Sequence, residues 1–151
     1  KPSSVFKICR VAAKYNEIKY LPEIVSTLQD LGYRVACNLM AISKVEDNEI
    51  KEYVNITKDL NLIATYIADS YGALYPIDVI VLFNEFNING IHTHDNMGLA
   101  FANCISALEA GNLRLNLFSV TPFGNFLNGQ SAKLKVWVDF SFVDGFTTSQ
   151  V

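Results

Sequence analysis

His92 and His94, the chain's two histidines, stand two residues apart in Ile91-His92-Thr93-His94-Asp95-Asn96-Met97-Gly98-Leu99. On a strand that spacing sends both imidazoles out of one face, within reach of a common ion. The polar turn after them opens into a helical pattern. Asn96 is the expected N-cap, and Phe101, Cys104, Ile105 and Leu108 fall at i, i+3, i+4 and i+7. Two histidines at a strand end, beside a helix N-terminus, make a place for a metal and an anionic ligand.

Three further polar residues lie where chemistry could use them. Asp69 closes an apolar segment, where it either forms a turn or lines the mouth of a site. Asn38 and Arg10 sit inside apolar strand patterns, where an unpaired polar group is costly. They either face a polar mouth or bond to a neighbouring group. Lys14 and Tyr15 read as a surface loop, Cys104 as core rather than nucleophile, and Trp137 as packing. No Walker-type loop or Gly-x-Ser-x-Gly elbow is present, and Gly90, Gly98 and Gly111 are too scattered for a dinucleotide fingerprint.

The elements that must carry these residues follow a regular order. Strands are expected at Val5–Ala13, Tyr33–Ile42, Leu62–Ala68, Asn89–His94 and about Leu113–Val120. Helices are expected between them. The first buries Ile18, Leu21, Ile24, Val25, Leu28 and Leu31, with Pro22 in its first turn and Gly32 as its stop. The second carries Ile50, Tyr53, Val54 and Leu60 inward, with Ser43 or Asp47 as its cap, and the third starts at Pro76. Strand starts every 25 to 30 residues, each followed by a helix, are the pattern of repeated βα units and a parallel sheet. The last 40 residues break it: Thr121–Ser131 is turn-rich, then Leu134, Val136, Val138, Phe140 and Phe142 alternate with polar neighbours as a half-exposed strand.

Composition narrows the function classes. The 151 residues suit one domain, half of them are apolar and the net charge is -3. That balance, with no basic cluster, argues against a nucleic-acid partner. No apolar run approaches the roughly 18–20 residues that span a bilayer, and Lys1-Pro-Ser-Ser4 does not read as a signal peptide. Cys9, Cys37 and Cys104 are odd in number, widely spaced and each in an apolar segment, as expected of reduced thiols in a cytoplasmic protein.

The order of motifs resembles the DRE-TIM metallolyase superfamily, which includes 3-hydroxy-3-methylglutaryl-CoA lyase, isopropylmalate and homocitrate synthases, and 4-hydroxy-2-oxovalerate aldolase. The resemblance lies in Asn38-Leu-Met-Ala-Ile-Ser43, in Ala68-Asp-Ser-Tyr-Gly-Ala-Leu-Tyr-Pro76, and most specifically in His92-Thr-His-Asp-Asn-Met-Gly-Leu-Ala-Phe-Ala-Asn103 with Ala107-Leu-Glu-Ala-Gly111. It covers roughly residues 5–112 and looks nearest to the aldolase branch.

The resemblance implies an α/β fold, part of a (β/α)₈ barrel of about five parallel βα strands, over residues 1–120, with residues 121–151 an atypical β-rich tail. It implies that His92 and His94 bind a divalent ion (manganese, magnesium or zinc), and that Asp69, Asn38 and Arg10 line a pocket for a 2-oxo acid or acyl substrate. The implied chemistry is carbon–carbon cleavage or condensation, with charge on an enolate stabilised. The family's Asp-Arg-Glu motif has no match here, so no catalytic residue is assigned, and Ser131 stands where its later Asn ligand would align. The two rival expectations are an inactive relative that associates through open sheet edges, and a flavodoxin-like doubly wound module that binds a small molecule.

Overall fold

In the computed structural model, residues 6–110 are described in full, together with the backbone of Leu117–Thr121 and Val136–Asp139. Strands β1 (Ile8–Ala13), β2 (Arg34–Leu39), β3 (Ala64–Asp69), β4 (Gly90–His94) and β5 (Leu117–Thr121) alternate with helices α1 (Leu21–Asp30), α2 (Asp47–Thr57), α3 (Pro76–Glu85) and α4 (Ala100–Ala110). A last strand, β6 (Val136–Asp139), belongs to the alternating stretch of the tail. The rest of that tail lies outside the described residues.

The sheet order is β1-β2-β3-β4-β5-β6, with β1 to β5 parallel and β6 antiparallel to β5. Chain order equals spatial order, so the sheet never reverses at a switch point. This excludes the doubly wound, flavodoxin-like alternative, which needs such a reversal. Sequential parallel strands are the winding of a barrel, with β1 and β6 at the edges of the sheet among the described residues.

The two faces of the sheet are packed differently. Val35, Cys37 and Leu39 of β2, Ile67 of β3 and Ile91 of β4 join Leu21, Val25, Ile50, Tyr53, Val79, Phe83 and Ala107 of the helices in one core. The other face carries Ala36, Ala64 and Tyr66 as a smaller cluster. Strand alternation places Arg10, Asn38, His92 and His94 on that second face, the inside of the curved sheet.

Several local expectations are corrected. Pro22 cannot donate to the Ile18 carbonyl, which takes the Leu21 N–H instead, so a 3₁₀ turn (Tyr15–Tyr20) precedes α1. Gly32, at φ +87°, ends α1 as expected, with Tyr33 N–H donating to the Leu28 carbonyl and Gly32 N–H to that of Gln29. Ile24 and Leu31 are exposed rather than buried. Neither Ser43 nor Asp47 caps α2; Glu46 does, its N–H donating to the Glu49 carboxylate at 2.8 Å. On α4 the inward face is Ala100, Asn103, Cys104 and Ala107, while Phe101 is 72% exposed. Small residues let that helix approach closely, so the larger apolar ones turn outward.

Candidate metal and substrate site

Three short side-chain bonds lace the C-terminal rim of the sheet. Ala41 N–H donates to Ser70 Oγ at 2.9 Å, joining the end of β2 to that of β3. His94 Nδ1 lies 2.7 Å from the Asp69 carbonyl oxygen, and Asn96 Nδ2 donates to the Tyr71 carbonyl at 2.6 Å, joining β3 to β4. Gly72 closes the turn between them: its N–H donates to the same Asp69 oxygen at 3.0 Å, and its φ is +56°. A Cβ there would stand 2.7 Å from the His94 carbonyl oxygen. Asn96 is therefore a rim tie and not the expected cap of α4. The Ala100 N–H is met by Asp95 Oδ1 at 3.0 Å instead.

On this rim both imidazoles leave the inner face, ring centroids 4.8 Å apart and planes at 53°. Two imidazoles sharing one ion at bonds of about 2.1 Å, roughly 90–110° apart, would have centroids about 4.5–5.2 Å apart. A carbonyl can only accept, so the bond to Asp69 puts a proton on His94 Nδ1, and in the neutral ring the lone pair is then on Nε2. Burial, reinforced by His94 and Arg10, pushes His92 down from 6.5 to about 4, so that ring is neutral at ordinary pH. Neutral imidazoles are the form a metal takes, and the pair fits as two donors of a coordination sphere. Among the described residues no third His, Cys, Asp or Glu joins them.

Of the other residues singled out in the sequence, Arg10 and Asn38 share the inner face with the histidines. The Arg10 guanidinium lies 5.7 Å from the centre of the Tyr66 ring, and its charge acts on His92. Asn38 is paired in register with Tyr66. Asp69 is not brought to them. It pairs with Thr93, and its buried carboxylate accepts the N–H groups of Ala73 and Leu74, each at 3.0 Å. Its backbone carbonyl, not its side chain, reaches His94. Tyr66 was not singled out in the sequence. The signal is a phenol among the Ala, Thr and Ile that precede Asp69 in β3, but only the register shows that it stands beside Asn38.

Cys37 and Cys104 are buried and all three cysteines are free thiols. Among the described residues no helix is long and apolar enough to cross a membrane. Tyr15 donates to Glu52 at 2.6 Å on the surface, away from the inner face.

Comparison with known proteins adds to this geometry. Residues 6–125 match the HMGL-like family. The chain is 31% identical over 110 residues to a 4-hydroxy-2-oxovalerate aldolase of Carboxydothermus hydrogenoformans, covering 70% of this chain and 33% of that one. It is 30% identical over 115 residues to the same enzyme of Bacillus thuringiensis, covering 73% and 34%. The chain thus spans about a third of the length of these relatives. Among solved structures, the HMG-CoA lyase of Bacillus subtilis superposes with a TM-score of 0.65 at 18% identity, over 83% of this chain and 51% of that one. That likeness shows the barrel fold.

Proposed function

The chain belongs to the HMGL-like family, and we propose that it carries the metal-binding strand of an aldolase or lyase acting on a 2-oxo acid or acyl substrate. His92 and His94 hold a divalent ion of the manganese, magnesium or zinc class, with the remaining positions filled by substrate oxygens or by groups outside the described residues. Such an ion supplies a Lewis acid for the carbonyl next to the carbon–carbon bond that is cleaved or formed. The chain's own residues do the positioning. Asp69, through its carbonyl, fixes the His94 tautomer; Arg10 offers a cation on the same face for a substrate carboxylate; and Asn38 lines the floor. Three free thiols suit a reducing compartment, the cytoplasm.

The observation that carries this reading is the 2.7 Å contact of His94 Nδ1 with the Asp69 carbonyl, which leaves the other nitrogen for a ligand. The test is equilibrium dialysis of the chain against Mn²⁺ and Zn²⁺. One ion per chain, lost in His92→Ala and His94→Ala, is expected. Uptake unchanged in both variants overturns the reading. Hydrogen–deuterium exchange at the methyl group of pyruvate, followed by NMR with the ion present, then reports enolisation.

A second reading is favoured by β6, which runs antiparallel where a further βα unit would add a parallel strand. On that reading the chain is a non-catalytic relative whose open edges associate with further copies. Bound metal without exchange at pyruvate, together with a dimer or larger species in solution, is its signature.

A further inference from the structure

Helices α2, α3 and α4 cover the same face of the sheet, yet only α2 has a wholly polar outer surface. Its exposed residues are Asp47, Asn48, Lys51, Glu52 and Asn55. On α3 the exposed residues include Ile77 and Val81, one turn apart and turned away from the buried Val79 and Phe83. On α4 they include Phe101 and Ile105, at the same spacing. A helix that is apolar on every side is one that other surfaces cover on every side. The two helices pack against each other, and Asn103 Nδ2 donates to the Leu74 carbonyl at 2.9 Å, which ties α4 to the turn before α3. Their four exposed side chains share one outer surface, continued at the rim by Tyr71, Tyr75 and Met97. Because α3 lies between α2 and α4, a further βα unit at either end of the sheet would not cover it.

We propose that two copies of the chain pair through this surface, face to face across a twofold axis with their α3 and α4 helices antiparallel. Area is the first argument for a second copy. Ile77 is 63% exposed and Phe101 72%. The seven side chains together leave roughly 800 Å² open, more than the roughly 300–600 Å² patch of an ordinary monomer and equal to one partner's share of a standard interface. Charge is the second argument, and it sets the orientation. Residues 59–110 contain no Lys or Arg. Glu85 and Glu109 lie in the last turns of α3 and α4, where the macrodipole is already negative and no basic side chain answers it. Parallel pairing would bring these carboxylates together. Antiparallel pairing sets each against the N-terminal turns of the partner's helices, where the dipole is positive and the exposed Tyr75, Ile77 and Phe101 are uncharged. The acid in that turn, Asp78, is taken by the Tyr75 N–H at 2.8 Å. One surface serves as both halves of the contact, as a closed dimer requires. This pairing uses helices rather than strand edges, and it is independent of the metal-site reading.

Sedimentation equilibrium of the full chain, with no metal added, tests this. A species of twice the chain mass is expected, with a dissociation constant in the micromolar range or below. Ile77→Glu combined with Phe101→Glu should raise that constant by about tenfold or more and leave the circular dichroism unchanged. Both positions lie in the first turn of their helices, where a carboxylate suits the macrodipole, so the loss is not one of folding. A second measurement needs no variant. Amide hydrogen exchange in α3 and α4 should slow as concentration rises through the dimerisation range, with β1 unaffected. A chain that stays monomeric at about 100 µM overturns the proposal. So does a dimer that survives the double substitution; its loss in Ile8→Lys then places the contact on the β1 edge. Exchange in α3 and α4 that is slow at every concentration places the cover within the chain itself, and overturns the proposal too.

Discussion

His94 Nδ1 sits 2.7 Å from the backbone oxygen of Asp69, so the end of β3 sets the proton position of a ring on β4. The same oxygen accepts Gly72 N–H at 3.0 Å. The tie therefore joins three parts of the rim: the strand end, the turn after it and the imidazole. It predicts that His94 is the Nδ1–H tautomer in the metal-free protein. Long-range proton–nitrogen NMR of the ring should show Nε2 unprotonated, and Nε2 should shift first on adding Zn²⁺. A protonated Nε2 would remove the lone pair from the inner face and end the case for His94 as a ligand.

Acid titration follows from the surroundings of His92. Burial first, then His94 and Arg10, hold its pKa near 4 against an ordinary 6.5. Between those values the unfolded chain binds this proton and the folded chain does not. The stability linked to His92 is thus fully present above pH 6.5 and is lost as pH falls toward 4. NMR of the ring carbon proton should give a midpoint near 4, and His92→Asn should flatten the stability curve across that window. A midpoint at 6.5 would show the ring to be open to water.

Gly72 tests how tightly the rim is closed. It has φ +56°, and an added Cβ would come within 2.7 Å of the His94 oxygen and 2.9 Å of Asn96 Cβ. Gly98 is the matched control, with φ +71° and nothing within 4 Å of an added Cβ. Gly98→Ala should cost about 1 kcal/mol for its backbone conformation alone. Gly72→Ala should cost about 2 kcal/mol more and also weaken metal uptake, because the strand end carrying His94 must move. Equal losses in denaturant midpoint would mean that the rim yields freely.

Much of this architecture is visible in the sequence, because each βα unit announces itself through period and punctuation. Pro76 and Gly32 fix ends that the structure keeps, and the His-x-His spacing alone puts two rings on one face. What was hidden depends on distance in three dimensions. Asp95 and Asn96 are equally fit to cap a helix, and only the fold shows that Asn96 is taken by the Tyr71 carbonyl. Phe101 and Ile105 look like core, yet α4 packs through Ala100, Asn103 and Ala107 and leaves them outside. Tyr66 acquires meaning only from its neighbour on the next strand.

The thiols should divide by burial. Desolvation pushes Cys37 up to about 12, and it raises Cys104 against a weaker opposing bond from Thr93. Cys9 is half-buried on the edge strand β1. A chromogenic disulfide reagent at pH 8 should titrate Cys9 in the native protein, and the other two only on unfolding. Three equal native rates would contradict the core that Cys37 and Cys104 are placed in.

Asp69 separates a structural carboxylate from a substrate contact. Its two oxygens accept the Ala73 and Leu74 N–H groups at 3.0 Å each, and the residue is fully buried. Asp69→Asn keeps one acceptor and turns an NH₂ toward the other N–H, so two donors meet with nothing to accept. The expected loss is about 1–3 kcal/mol, and Asp69→Ala, which strands both amides, should lose more. Because the turn from Asp69 to Leu74 carries the carbonyl that orients His94, metal affinity should fall along with stability in both variants. Chemical denaturation and Mn²⁺ dialysis on the same samples decide the matter. A variant with unchanged stability but weaker binding of a 2-oxo acid would place the carboxylate on the substrate, facing the opposite side of β3 from the one its hydrogen bonds require.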